Sequence, residues 1–516
     1  MSQYWPKKNK VSNTKVTLLY PPEQTWPDTM CKPNGSLAYP MLGAALIEAD
    51  IEVEVYDACV GNSEDDLQET FYEPVELPTG MLRTGVLDDR ILKQIFDSQV
   101  VGITSIFSHQ ETMVLNTIRL IKKNYPEKLV ITGGVNARHR IPQFFDAGAD
   151  VICTSEAEKT IVDIVRTFET GSKNFGNIPY VIFKKKDKII FSKAPGEIIW
   201  DLDELPLPAW HLLPNERYWE IGRPHGGHFK DDEELRYISM MTSLGCPFTC
   251  TFCHIAGELK GSLSGEIGRF RIKSDERVIE ELNILKDMNV KQIFIEDDSL
   301  LGKKKRAIRL IKKMIGMGFE ILDVNGVNVV HLLKDGKPDK EVLEVLMEAG
   351  FRDIVLPFES ANKRMISKYA SNKWDVTNSD VAGLIKTCKD YGLRVAGNFM
   401  LGYPDETKQE VLNTVQYARE RMEDGLDASN FFLVMPLPGT PMFDDVIRDG
   451  KLPKDFNPDR MHWQKANMIN TPVPPKELEK IRDEAWQELN KPEFTNYKKD
   501  MVVDKNTGEV HTRSTK

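Results

Sequence analysis

Apolar and polar positions along this chain switch between two periods, and the switches mark its elements. Lys15–Tyr20 (KVTLLY) is an almost unbroken apolar run that stops at Pro21-Pro22, as a strand covered on both faces would. Leu42, Ala45, Leu46 and Ala49 then fall at i, i+3, i+4 and i+7, the stripe of a helix with one buried face. Residues 51–56 alternate apolar and acidic side chains as a second strand. A polar stretch, 62–85, reads as a loop or insertion. Strands follow at 100–106, 129–132 and Val151–Cys153. Helical stripes lie between and after them, through Met113, Leu115, Ile118, Leu120 and Ile121, and over 160–168. Strands separated by helices predict a parallel, doubly wound, Rossmann-like sheet, whose ligands sit outside the carboxyl ends of its strands.

The pattern changes over 173–235. Residues 180–183 and 189–191 flank a lysine-rich turn and read as a hairpin, and Leu205-Pro206-Leu207-Pro208-Ala209-Trp210 reads as a linker. From Tyr237 the strand–helix alternation restarts. Strands are predicted at 237–242, Gln292–Ile295, 321–324, 353–357, Arg394–Leu401 and 430–434. Helical faces run through Val278, Ile279, Leu282 and Leu285, and through Val381, Leu384, Ile385 and Cys388. Six such units predict a partial (β/α)6 barrel of the TIM type, active at the carboxyl ends of its strands. After 451 the pattern is helical over 475–489, then polar and frayed. The expected division is a sheet domain at 1–172, a linker with hairpin at 173–235, a barrel domain at 236–450 and a mostly helical C-terminal segment at 451–516.

Composition narrows the class. The chain has 516 residues, 41% hydrophobic and 28% charged, ordinary values for a globular protein. No apolar stretch approaches the ~20 residues of a membrane helix, and the N-terminus lacks the apolar core of a signal peptide. The formal net charge of −10 argues against sequence-independent nucleic-acid binding. Seven cysteines, an odd and sparse set, argue against a disulfide framework and for a reducing, cytoplasmic setting. Cys388 lies on an apolar helical stripe and Cys153 ends a strand; Cys31 and Cys59 lie in loops and carry no role that the sequence identifies.

The other three cysteines are crowded into Gly245-Cys246-Pro247-Phe248-Thr249-Cys250-Thr251-Phe252-Cys253-His254, directly after the first barrel strand. Three thiolates this close on one loop suit three corners of an iron–sulfur cubane, leaving the fourth iron open. The competing reading is zinc, which prefers four ligands in paired sets; His254, adjacent to Cys253, is poorly placed to complete one.

This loop resembles the signature of the radical S-adenosylmethionine (SAM) superfamily, including the aromatic Phe252 before the last cysteine. The similarity extends over about 236–445. Ile295-Glu296-Asp297-Asp298 stands where the family binds the methionine amino group, and Asp297 is the residue taken for that role, in place of the commoner Gly-Gly-Glu. Phe358-Glu359-Ser360 is similar to the ribose-contacting segment, with Glu359 as the contact. Asn398-Phe399-Met400-Leu401-Gly402-Tyr403-Pro404 and Pro436-Leu437-Pro438-Gly439-Thr440-Pro441 close the fifth and sixth strands. The resemblance implies a [4Fe-4S] cluster on Cys246, Cys250 and Cys253 and SAM bound to its open iron. It also implies reductive cleavage of SAM to a 5′-deoxyadenosyl radical and an electron donor such as flavodoxin or ferredoxin.

The segments after the N-terminal strands share one end of the predicted sheet. Pro21 and Pro22 lead to Trp26; Ser105 and Ser108 follow the third strand; Gly133-Gly134 follow the fourth. Hydroxyls beside paired glycines admit a large ligand with a polar tail, and on residues alone a nucleotide-like pocket or an inert domain fits as well. A sheet of this kind before a radical SAM barrel resembles the cobalamin-dependent members, in which a serine and Gly-Gly surround the nucleotide tail. The Asp-x-His-x-x-Gly motif that supplies an axial histidine in many cobalamin proteins is absent. Asp57-Ala58-Cys59-Val60-Gly61 lacks the histidine and follows the second strand, so the lower face is expected to be either open or covered by Trp26, with His109 and His139 as weaker rivals. The resemblance implies a C-methyltransferase that methylates an unactivated carbon of a small molecule. The alternatives are a non-methylating cobalamin-dependent radical enzyme and, more remotely, a methylthiotransferase, which would need a second cluster on N-terminal cysteines.

Overall fold

The computed structural model describes residues 4–5, 12–27, 29, 31–33, 36–224 and 235–491, and the backbone of 501–503 and 510–512. Two compact units emerge. One comprises residues 1–225 with 260–267 and 498–516, the other 226–259 with 268–497. The predicted linker stretch over 225–234 and most of the tail beyond 491 lie outside the described residues.

The first unit is built on a seven-stranded sheet: β1 (Lys15–Tyr20), β2 (Glu52–Asp57), β3 (Val100–Thr104), β4 (Leu129–Gly133), β5 (Val151–Cys153), β6 (Val181–Lys185) and β7 (Lys188–Phe191), in the order β7-β6-β5-β4-β3-β1-β2. β1 to β5 are parallel and β6 and β7 antiparallel. Successive side chains of each strand serve opposite faces. Val101, Ile103 and Val130 pack with Val114, Ile118, Ile121 and Phe144 on one side, while Val100, Leu129 and Ile131 pack with Tyr39, Leu46, Ile161 and Ile164 on the other. Both faces of the central strands β1, β3 and β4 are thus covered, which is why they read as nearly continuous apolar runs.

Two sequence expectations change here. The hairpin placed in the linker is β6–β7, and β6 pairs with β5 as part of the sheet. The polar stretch 62–85 is not featureless, because Val75–Glu76 and Leu82–Thr84 form a small antiparallel sheet with Glu23–Thr25.

The second unit holds β8 (Tyr237–Met240), β9 (Gln292–Ile295), β10 (Glu320–Asp323), β11 (Phe351–Glu359), β12 (Arg394–Leu401) and β13 (Ala428–Leu433), adjacent in that order and all parallel. Helices cross between the strands, giving the six βα units of the predicted partial barrel. Helix 475–489 is present as Pro475–Leu489, and short strands Met501–Val503 and Val510–Thr512 pair antiparallel where the sequence suggested fraying. No helix of the described residues is long and apolar enough to cross a membrane.

Candidate active site

In the second unit the chain leaves β8 through Thr242, Ser243 and Leu244 into the cysteine loop. Gly245 makes the turn at φ +72°; a Cβ there would stand 2.5 Å from the Arg269 carbonyl oxygen, so no side chain fits. The loop is tied down by backbone bonds: Cys246 N donates to Gly268 O, Thr251 N to Tyr369 O and Met442 N to Thr251 O. Phe252 packs against a cluster containing Tyr369, Tyr403, Met442 and Val446, its ring 6.1 Å from that of Tyr403. Its position therefore anchors the loop to the protein interior.

Burial pushes the free thiol of Cys246 up to about 11 and those of Cys250 and Cys253 to about 12, with the Lys373 ammonium opposing at Cys246 and Cys250. Thiols held neutral by burial become thiolates when a cation replaces the proton. Among the described residues, the three cysteines do not form a group whose ligand atoms all lie within 4.8 Å of one another. A single zinc with Zn–S bonds of about 2.3 Å would require that closeness. Three cysteines on one loop, with no fourth protein ligand required, are the donor set that an iron–sulfur cluster with one open iron takes.

The segment after β9 divides its three acids among different tasks. Asp297 is fully buried; its carboxylate accepts from Thr242 N at 2.6 Å, Thr242 Oγ1 at 2.7 Å and Ser243 Oγ at 2.6 Å. These bonds tie it to the start of the cysteine loop. Asp298 takes Gly245 N at 3.1 Å. Burial raises its carboxyl to about 6, His254 opposes, and its charge is felt at Cys246 and Cys253. Glu296 accepts from Ser239 Oγ at 3.1 Å and burial holds it at about 7. Glu359 ends β11 in the left-handed region at φ +60° and pairs with the buried Lys373 at 2.5 Å. Lys373 is a residue the sequence reading missed, since an isolated lysine between helices carries no signal of burial. Ser360 turns inward, fully buried against Thr414.

In the first unit, β1 lies between β2 and β3; the chain leaves β1 toward β2 and leaves β3 toward β4, so the two connections part between β1 and β3. The crevice that opens there is lined by Tyr20, Pro22, Glu23, Ser105, Phe107 and Gln110, among others. Backbone pairing of β1 with β3 reaches Leu19 and Ile103. Beyond it Tyr39 bridges the parting strands, donating to Leu19 O at 2.5 Å and accepting from Thr104 N at 3.1 Å. Gln24 and Gln110 lock the two following segments by reciprocal amide bonds of 2.8 Å. Ser105 is buried; its Oγ accepts from Asn136 Nδ2 at 3.0 Å and its carbonyl from Asn136 N at 3.1 Å.

Gly134 adopts φ +99°, and a Cβ on it would stand 2.4 Å from Ser105 O, whereas a Cβ on Gly133 meets only Cys153 at 3.6 Å. Of the glycine pair, Gly134 alone is sterically required. Ser108 is buried and opens the short helix Ser108–Gln110. Trp26 is half-buried and is not among the residues lining the crevice. Ile106 and Phe107, 38% and 48% exposed, present apolar surface at its rim, and the buried Thr132 Oγ1 has no hydrogen-bond partner. An apolar rim above glycine and hydroxyl groups fits a broad, flat ligand with a polar tail.

Residues 240–418 match the family model of the radical SAM superfamily. An uncharacterized methyltransferase of Pyrococcus horikoshii is 30% identical over 386 residues, 74% of this chain and 75% of that protein. The cytidylyl-2-hydroxyethylphosphonate methyltransferase of Streptomyces wedmorensis is 25% identical over 494 residues, 89% of this chain and 86% of that one. Among solved structures, the radical SAM methyltransferase TsrM from Kitasatospora setae, with cobalamin and a [4Fe-4S] cluster bound, covers 85% of this chain and 78% of its own at TM-score 0.60 and 16% identity. The chain belongs to the radical SAM methyltransferases and has the fold of a member that carries cobalamin.

Proposed function

We propose that this protein is a cobalamin-dependent radical SAM C-methyltransferase acting on an unactivated carbon of a small molecule. The observation that carries the reading is the cysteine loop at the carboxyl end of the first strand of one parallel sheet, in a chain whose other sheet opens a crevice at its switch point. When bound, the cluster, SAM and cobalamin supply a carbon-centred radical and a transferable methyl group. Cys246, Cys250 and Cys253 hold the cluster. Asp298, beside Cys246 and Cys253, is the carboxylate placed to meet the methionine amino group, and Glu359, fixed by Lys373, lines the same end of the sheet. In the other unit, Ser105, Ser108, Gly133 and Gly134 receive the cobalamin tail, and Ile106 and Phe107 offer apolar contact to the ring. Trp26, half-buried on the segment after β1, is the proposed cover of the lower face. An electron donor of the flavodoxin or ferredoxin class reduces the cluster, and the setting is cytoplasmic.

The test is anaerobic reconstitution with methyl-labelled SAM and a cell extract, followed by mass analysis. A labelled small molecule heavier by one methylene unit supports the proposal. A product that has lost hydrogens without gaining label indicates oxidative cyclisation instead. The methylthiotransferase reading loses ground because Cys153 is packed in a core and does not join Cys31 and Cys59.

A further inference from the structure

Cys31 and Cys59 have no part in the chemistry above, yet they meet. The Cys31 thiol lies 3.5 Å from the Cys59 Sγ and donates to Glu23 Oε2 at 3.0 Å. The three ligand atoms all lie within 4.8 Å of one another, the one such group among the described residues. They come from separate segments: Glu23 from the short strand after β1, Cys31 from the loop beyond it, and Cys59 from the turn after β2. Both thiols are buried. The third segment is itself held in place, since Cys59 N donates to Asp57 Oδ1 at 2.8 Å and Asp57 Oδ2 accepts from Tyr218 at 2.6 Å.

We propose that Glu23, Cys31 and Cys59 form a binding site for a single thiophilic divalent cation of the zinc class, distinct from the cluster loop. Two sulfurs and one carboxylate oxygen are a borderline-soft donor set, the chemistry that selects zinc over magnesium or calcium. Contacts of 3.0 and 3.5 Å approximate the edges of a tetrahedron around an ion with bonds of about 2.0–2.3 Å. The cysteine loop, whose sulfurs are spread more widely, does not meet that condition. Binding replaces the two thiol protons, which leave to solvent, so affinity rises with pH. Glu23 also lines the switch-point crevice, so the ion would pin one wall of it.

The test uses the full chain, purified without oxygen and carrying its cluster. Zinc and iron are measured by plasma mass spectrometry, and alkylation of Cys31 and Cys59 is followed by peptide mass spectrometry with and without added zinc. The expected result is a single equivalent of zinc, alkylation of both thiols slowed at least tenfold by zinc, and loss of the zinc in Cys31→Ser and Cys59→Ser with cluster iron unchanged. Since a variant that fails to fold would also lose zinc, the alkylation of the native chain decides independently. Equal alkylation with and without zinc, zinc retained in both variants, or a Cys31–Cys59 disulfide in the anaerobic protein would overturn the proposal.

Discussion

Gly133 and Gly134 are neighbours in sequence with different obligations. Gly134→Ala forces a Cβ to 2.4 Å from Ser105 O at φ +99° and should cost at least ~2 kcal/mol, read as a lowered urea midpoint together with reduced cobalamin retention. Gly133→Ala meets only an ordinary contact and should leave the midpoint nearly unchanged. Asp297 and Asp298 separate in the same manner. Asp297→Ala strands Thr242 and Ser243 and should reduce the iron retained. Asp298→Ala should keep the cluster and weaken SAM binding; equal SAM affinity would remove Asp298 from the site. Glu406 gives a pH test. Its carboxylate accepts from Gly402 N at 2.7 Å and Tyr403 N at 3.2 Å, but burial dominates and raises it from 4.5 to about 8. The folded state therefore holds the proton more tightly than the unfolded one. The stability from this group is complete below 4.5 and is lost as pH rises through about 8, by up to ~1.4 kcal/mol per pH unit. Glu406→Gln should flatten that decline in the urea midpoint.

At the scale of elements, the parting of β1 and β3 creates the crevice, and the Tyr39 hydroxyl closes the backbone gap left behind. Tyr39→Phe leaves a buried carbonyl and amide without that partner. It should destabilise the first unit by ~1–3 kcal/mol and loosen cobalamin, measured as faster loss on gel filtration. Strand positions were legible where both faces are covered and the strand reads as an apolar run, as at Lys15–Tyr20 and Gln292–Ile295, or where one face is buried and the pattern alternates, as at Arg394–Leu401; these three match to the residue. The cysteine loop was legible because its spacing is local. What escaped the sequence is set by tertiary contact. The Glu23–Thr25 strand is polar and takes its order from pairing with Leu82–Thr84, and the different partners of Glu296, Asp297 and Asp298 come from residues more than fifty positions away. The meeting of Cys31 with Cys59 likewise has no linear signal.

For the whole molecule, two parallel sheets on one chain each present the carboxyl ends of their strands, one with three loop cysteines and the other with a crevice at its switch point. Family membership follows from the match over 240–418 and from relatives that share about three quarters of the chain or more. The central claim is that the loop thiols hold the cluster that cleaves SAM, and it is tested most directly by measuring 5′-deoxyadenosine. The native chain, anaerobically reconstituted with iron, sulfide and cobalamin and supplied with a reductant and SAM, should release it, and Cys250→Ala should release none. Equal release from the variant, or no release from a native chain that carries its full iron and sulfide, would contradict the account.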